Sequence, residues 1–376
     1  MTDPNPVSLT RSLLAFDTIN PPGDERTCAH YVGGFLEESG FHVDYHEFGT
    51  QRTSLVARLV GSGAKSPICF TGHLDTVPLG KMHWSMDPFA GEMDGNRFYG
   101  RGTSDMKAAI AGILLMGRRL SELKRRVADI VLVLTAGEET GCQGSRYLAG
   151  LAGEVLGEAG AIVVGEPTAN QPLIGHKGVA RYEIITTGIT AHASMPEQGD
   201  NAIHKVAEVV QRLQSFNFGV DPHDILGAPT LNIGTITGGI NINSVPDQAR
   251  IGIDIRTIPG QDAHDIKDRL QKAAGAEATV TLLQSEPSLI TDVGDEWVQD
   301  VYEVMTERLG RRPSPGGVAY FTDGSNLKAA YGDPPTIILG PGESTQAHKT
   351  DEYCLVSNLE MSLEAYIEIA RRWCCT

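Results

Sequence analysis

Three apolar runs in this chain each end in residues that can bind a metal or move a proton. SPICFTGHLD (66–75) ends in His73 and Asp75, ADIVLVLTAGEE (128–139) in Glu138 and Glu139, and AIVVGEP (161–167) delivers Glu166. Side chains repeat every two residues along a strand, so His73 and Asp75 fall on one side of a strand end. That spacing lets a histidine bind metal while the neighbouring carboxylate hydrogen-bonds its ring and fixes the tautomer. Glu138 and Glu139 are adjacent and must point differently, so one can bind metal while the other serves as a general base. Asp105 follows the glycine-bearing turn Gly100–Ser104, and His348 lies near the C-terminus. One bridging carboxylate, with one histidine and one further carboxylate per metal, makes a ligand set for two zinc ions, water filling the open positions.

Other chemistries fit less well. VGSGAKS (60–66) lacks the glycine and lysine spacing of a phosphate loop and reads as a turn between strands. Ser104 and Lys107 match S-x-x-K at a helix start, but the companion motifs of a serine acyl-enzyme are absent. No G-x-S-x-G elbow occurs, and no G-x-G-x-x-G follows a strand.

The elements that must position these residues alternate. Residues 6–19 and 27–39 have helical periodicity, 53–60 reads as a strand, and 104–122 reads as a helix with Ser104 as N-cap and Asp105 in its first turn. The strands carrying the acids are uniformly apolar, which indicates burial on both faces in an α/β fold with a parallel or mixed sheet. Active sites in such sheets collect beyond the carboxyl ends of the strands. From 178 to 289 the pattern changes to strand (179–187), helix (200–215), strand (230–237), strand (248–256), helix (262–274) and strand (278–284). That β-α-β-β-α-β order is ferredoxin-like and long enough to fold as a unit. It reads as an insertion, because PPTIILG (334–340) and a helix over 357–373 resume the earlier pattern.

With 376 residues the chain exceeds what one core usually supports. A net charge of −16 opposes binding to nucleic acid and anionic membranes, so neither is an expected partner. No apolar stretch approaches the ~20 residues of a membrane span, and the N-terminus lacks the pattern of a signal peptide. The six cysteines, including adjacent Cys374 and Cys375, have no metal-ligand spacing and are expected to be free thiols in the cytoplasm.

Longer motifs connect these sites: GHLDTVP (72–78), WSMDPF (84–89), GRGTSDMKAAIAG (100–112), TAGEETG (135–141), VGEPT (164–168), TAHASMPEQGDNAI (190–203), DIRTIPGQ (254–261) and GPGESTQAHKTDEY (340–353). Through them the sequence resembles the acetylornithine deacetylase / succinyl-diaminopimelate desuccinylase family of co-catalytic zinc hydrolases, which also holds aminoacylase and carboxypeptidase G-type enzymes. The resemblance covers nearly the whole chain. It implies a zinc-peptidase-like α/β/α catalytic domain from 1–177 and 290–376, with 178–289 as an inserted dimerisation and lid domain. It further implies two Zn²⁺, replaceable by Co²⁺: His73 on one metal, Asp105 bridging, Glu139 and Glu166 as terminal ligands on different metals, and His348 closing the second site. Asp75 would orient His73, and Glu138 would be the base. His192 would stabilise the oxyanion in a partner subunit's site, while Arg256 and Asn243 would hold the substrate carboxylate. A cis peptide at Asp105–Met106 is also implied. The implied reaction is hydrolysis of a small N-acyl amino acid by a cytoplasmic homodimer. HKG (176–178) and PTLNIG (229–234) favour the acetylornithine deacetylase side, in arginine biosynthesis. Desuccinylases and carboxypeptidases or dipeptidases are the alternatives within the family, and an inactive amino-acid-binding or peptide-binding relative is the alternative outside enzymes.

Overall fold

The computed structural model describes residues 5–375. They form two compact units. The first runs to Gly175 and resumes at Ile290–Gly316 and from Thr322; the second is His176–Leu289 together with Gly317–Phe321.

The first unit is built on a six-stranded sheet of β1 (His42–Gly49), β2 (Arg52–Leu59), β3 (Lys65–His73), β4 (Ala128–Thr135), β5 (Ala161–Val164) and β6 (Thr336–Ile338), in the order β1-β2-β4-β3-β5-β6. The last four run parallel, while β1 and β2 join antiparallel at one edge. The sheet is therefore mixed. β4 and β5 are apolar because they are buried along nearly their whole length, and a strand covered on both faces has no side to give to water. The helix Ala108–Ser121, buried from Ala108 through Gly117, packs with the C-terminal helix Val356–Cys375. β1 is half exposed and polar, HVDYHEFG, and periodicity did not reveal it.

Three sequence expectations need correction here. The first helix is Pro6–Leu14 rather than 6–19, because Thr18 and Asn20 are drawn onto the end of β3: Thr18 Oγ1 donates to the Leu74 carbonyl and Asn20 N to that of Thr76. Helix 104–122 begins only at Ala108. Ser104 is not its N-cap; the Ser104 hydroxyl donates to the Tyr353 carbonyl, and Asp105 and Met106 have non-helical backbone angles.

The second unit is a four-stranded antiparallel sheet ordered Thr230–Gly238, Gln248–Thr257, Gly178–Thr187, Ala278–Glu286. Burial alternates along Gly178–Thr187 and Gln248–Thr257, so one face is covered. Helices Ala202–Leu213 and Ala263–Ala274 cover it through Val206, Val209, Leu213, Ile266 and Leu270 against Ile184, Ile251, Ile253 and Ile255. Each such aliphatic side chain contributes roughly 1.5–3 kcal/mol on burial, which gives the unit a core of its own. No helix among the described residues is long and apolar enough to cross a membrane. All six cysteines are free.

Candidate metal centre

Strand register sets the centre. On parallel β3 and β4, His73 lies opposite Thr135, and on β3 and β5, Thr71 lies opposite Val164. Three strand ends therefore stop side by side, and the next few residues are Glu138 and Glu139 on one and Glu166 on another. His73 Nε2 is 3.0 Å from Asp105 Oδ1 and 3.8 Å from Glu166 Oε1. His348 Nε2 is 3.3 Å from Asp105 Oδ2 and 3.1 Å from Glu139 Oε2. Each oxygen of Asp105 thus faces a different histidine, the arrangement a bridging carboxylate needs. Donor atoms of His73, Asp105 and Glu139 lie within 4.8 Å of one another, as do those of His73, Glu138 and Glu166. Glu138 is thus close enough to His73 and Glu166 to act as a donor itself.

Asp75 does something the sequence did not suggest. His73 Nδ1 is 3.0 Å from the Asp75 backbone carbonyl and 3.7 Å from its carboxylate. A carbonyl can only accept, so Nδ1 carries the proton and Nε2 is left free to bind metal. The buried carboxylate itself accepts the N–H groups of Gly137, Glu138 and Glu139 at 3.0, 3.1 and 3.2 Å, and the Asn20 amide at 2.8 Å. It ties the end of β3 to the loop that carries Glu138 and Glu139.

The electrostatics call for a cation. Burial and then Glu166 push the Glu138 carboxyl well above its ordinary value; burial and then Asp105 do the same to Glu166 and raise Glu139. Burial alone would lower His73, but Asp105, Glu166 and Glu138 outweigh it and hold the ring well above its usual value. Hydrogen bonds with Asp105 and Glu139 lift His348 to about 10. Burial would raise Asp105, yet the two histidines outweigh it and pull it down. Glu139 Oε1 is buried without a hydrogen-bond partner. Imidazole nitrogens and carboxylate oxygens are the donors that zinc and similar divalent ions take, so this set fits a metal.

The serine alternative fails on geometry. The Ser104 hydroxyl is spent on Tyr353, and Lys107 Nζ is buried against the carbonyls of Leu13 and Phe16, so neither can serve the other. The Asp105–Met106 peptide is cis.

The remaining expected residues lie in the second unit. His192 is exposed, and its Nδ1 accepts the Ser194 N–H at 3.2 Å, which leaves the ring proton on Nε2 as a donor. Asn243 sits in the adjoining loop: Ala193 N donates to its carbonyl, and His192 bridges to Ser244. Arg256 is elsewhere. Gln248 pairs with Thr187 and Arg256 with Val179, so Arg256 is eight residues further along the sheet, about 26 Å at ~3.3 Å per residue. It is bonded to Asp254 at 2.7 Å and lies over the Phe321 ring. The structure brings His192 and Asn243 together and leaves Arg256 at the far end.

Sequence reading missed Asn20, Asp323 and Glu352. Asp323 is buried and accepts hydrogen bonds from the hydroxyls of Thr135 and Ser145 behind Glu138. Glu352 holds the turn before Asp105. Its position in TDEY, just past His348, was the available signal, as the Asn-Pro-Pro run was for Asn20.

Residues 69–372 match Peptidase family M20/M25/M40. The chain belongs to that family. It is a metal-dependent hydrolase. An acetylornithine deacetylase of Proteus mirabilis is 30% identical over 99% of this chain and 97% of its own length. Among solved structures, an M20 family metallo-carboxypeptidase from Sulfolobus solfataricus superposes with a TM-score of 0.83 at 17% identity, covering 98% of this chain and 99% of that one. A dinuclear metal-binding M20 peptidase from Bacillus subtilis gives 0.72 at 18% identity, covering 97% and 96%. These two share the fold of this protein.

Proposed function

We propose that this hydrolase cleaves the amide bond of a small N-acyl amino acid, as an acetylornithine deacetylase does, in the cytoplasm and in arginine biosynthesis. The observation that carries this choice is the 30% identity to the Proteus mirabilis deacetylase along almost the full length of both chains. His73, Asp105, Glu139, Glu166 and His348 would hold two Zn²⁺, or Co²⁺ in their place, with Asp105 bridging. The two histidines facing separate oxygens of Asp105 support that assignment. The cations, when bound, polarise an amide carbonyl and bring the pKa of water toward 7.

Glu138 takes the proton from the attacking water and later returns it to the leaving nitrogen, so the products are a carboxylate and an amine. Asp75 keeps the loop of Glu138 and Glu139 in register with His73 through three backbone N–H groups. His192, with its proton on Nε2, donates to the oxyanion of the tetrahedral intermediate. Asn243 and Arg256 hold the substrate carboxylate, the guanidinium as a fork. One copy of the second unit cannot bring both to a small substrate, because they lie at opposite ends of its sheet. A two-fold homodimer resolves this, each site taking His192 and Asn243 from one copy and Arg256 from the other. The exposed edge strand Thr230–Gly238, with its Ile236 and the following loop's Ile240 and Ile242 open to solvent, suits such pairing.

The test is a hydrolysis screen of N-acetylornithine, N-succinyl-diaminopimelate, N-acetylmethionine, folyl-glutamate and short dipeptides, with metal counted by atomic spectroscopy. N-acetylornithine should give the highest kcat/KM at two metal equivalents per chain. A higher value on a dipeptide would assign the protein to the peptidase side of the family, and no hydrolysis at all would mark a binding relative.

A further inference from the structure

A carboxylate that no step above uses surrounds the backbone of Asp105. Glu352 is fully buried, and its oxygens accept the N–H groups of Gly102, Ser104 and Asp105 at 3.1, 2.8 and 3.1 Å. The Arg101 guanidinium donates to it at 2.5 Å, and that buried arginine also donates to the Pro78 carbonyl and stacks over Trp84. Consecutive backbone N–H groups in a glycine-bearing turn form a concave anion site. Here Gly102, with φ 91°, lets the turn close, and the chain fills the hollow with its own carboxylate.

The same stretch grips the turn at other points. Ser104 Oγ donates to the Tyr353 carbonyl and accepts from Glu343 N. Gly100 N donates to the Glu352 carbonyl, and Tyr353 pairs with Tyr99 in a short antiparallel ladder. A Cβ at Gly342 would stand 2.8 Å from Ser104 Cα, so the two backbones are in direct contact. This stretch also carries His348, four residues before Glu352. Residues 342–353 thus hold Asp105 by its backbone while presenting the histidine that faces its Oδ2.

We propose that Glu352 is a positioning residue of the metal centre: it sets the separation of Asp105 and His348, and through it the affinity of the site those two share with Glu139. It touches neither substrate nor metal. The proposal rests on the ligand reading given above. Glu352 is the counterpart of Asp75, one carboxylate gathering the N–H groups of Gly102, Ser104 and Asp105 and the other those of residues 137–139.

Glu352→Gln keeps the shape but removes the charge and turns an amide N–H₂ toward groups that can only donate. Full-length protein is titrated with Zn²⁺, and with Co²⁺ for its visible absorption, while thermal unfolding is followed with and without metal. One of the two metal sites, the one His348 and Glu139 would serve, should lose about 10–100-fold in affinity, the range for changed partners of a ligand, while the other moves only a few-fold. The Co²⁺ spectrum of that site should change. Both affinities unchanged, with the same loss of melting temperature in metal-free and metal-loaded protein, would overturn the proposal, because that is the signature of a purely structural role. If Glu352→Gln does not fold, Ser104→Ala decides: it removes a milder tie between the same two stretches, and should weaken the same site a few-fold. An unchanged site in that variant overturns the proposal. Asp105→Ala separates the two layers. Should it retain both metals, the ligand reading falls and this proposal with it; should it lose metal while Glu352→Gln binds like wild type, the proposal alone falls.

Discussion

His73 and His192 are held in opposite ways. His73 is 1% exposed, its Nδ1 fixed by the Asp75 carbonyl and its Nε2 aimed at Asp105. His192 is open to solvent on a loop, its Nδ1 bonded two residues away to Ser194. The contrast extends to their neighbours. The donors on the first unit stand on strand ends, on the turn at Asp105 and on the loop of His348, tied together by Asp75 and Glu352, so their geometry exists before any substrate arrives. Asn243 is exposed on the second unit, and Arg256 is engaged with Asp254. Exposed groups such as His192 and Asn243 are less preorganised than the buried donors of the first unit. In the proposed function the first unit supplies the fixed chemistry, and the second would supply groups that act on assembly and substrate binding.

The strongest way to break this contrast is at Glu138. If it is the base and not a ligand, Glu138→Gln should retain both metals and lower kcat about a thousandfold, within the range for losing a general base. Its carboxylate lies close enough to His73 and Glu166 to act as a donor, so the variant's metal content decides between the roles. Loss of metal along with activity would make Glu138 a ligand.

A smaller effect is expected at Asn20, which touches only the support of the centre. Its amide donates to Asp75 Oδ2 at 2.8 Å and to Thr140 Oγ1 at 2.9 Å, deep in the protein. Asn20→Ala removes one of four donors to the Asp75 carboxylate, a loss of about 1.5–3 kcal/mol for a bond to a charged group, or roughly 10- to 100-fold in metal affinity or kcat/KM. Unchanged metal binding would mean that the backbone N–H groups of 137–139 suffice by themselves.

The residues that gather at the candidate metal centre were legible in the sequence and their supports were not, for a physical reason. An acid or histidine just after an apolar run is visible because the run must be a buried strand and the acid must leave it. What holds those residues is a set of bonds between remote segments: Glu352 to Asp105 across 247 positions, Asp75 to Asn20 across 55. Most are made to backbone N–H groups, which every residue but proline has, so composition carries no trace of them. The turn at Asp105 was misread for the same reason. Ser-Asp before a helix looks like a cap, but its N–H groups go to Glu352. The second unit was the easier half, since its strands alternate and its helices are amphipathic, both local signals. The far placement of Arg256 from Asn243 follows from strand register, which the motifs do not contain.

The second unit is tested by mixing chains. If His192 acts across a dimer, a His192→Ala chain combined with a Glu138→Gln chain should recover up to about a quarter of wild-type activity. Random pairing makes half the dimers mixed, and each mixed dimer has one intact site. No recovery after demonstrated subunit exchange would return His192 to its own chain, or remove it from the reaction.

The smallest effect is expected at Glu25, a buried carboxylate near enough to Asp75 to feel its charge. This carboxylate is fully buried, paired with Arg52 at 2.9 Å, and pushed from 4.5 to about 7 by burial and then by the charge of Asp75, with Arg52 pulling the other way. A raised carboxyl binds its proton more tightly in the folded than in the unfolded chain. The stability it contributes is therefore complete below pH 4.5 and lost as the pH rises through 7. At about 1.4 kcal/mol per unit, the shift is worth at most about 3 kcal/mol. Glu25→Gln cannot ionise, so in the metal-loaded protein its melting temperature should trail wild type most at pH 4.5 and gain on it steadily up to pH 8. Comparing the two proteins cancels every group they share, so the ligand carboxylates do not enter. A gap that stays constant across that range would show that Arg52 keeps Glu25 ionised throughout, and that the buried support of the centre carries its charges fully compensated.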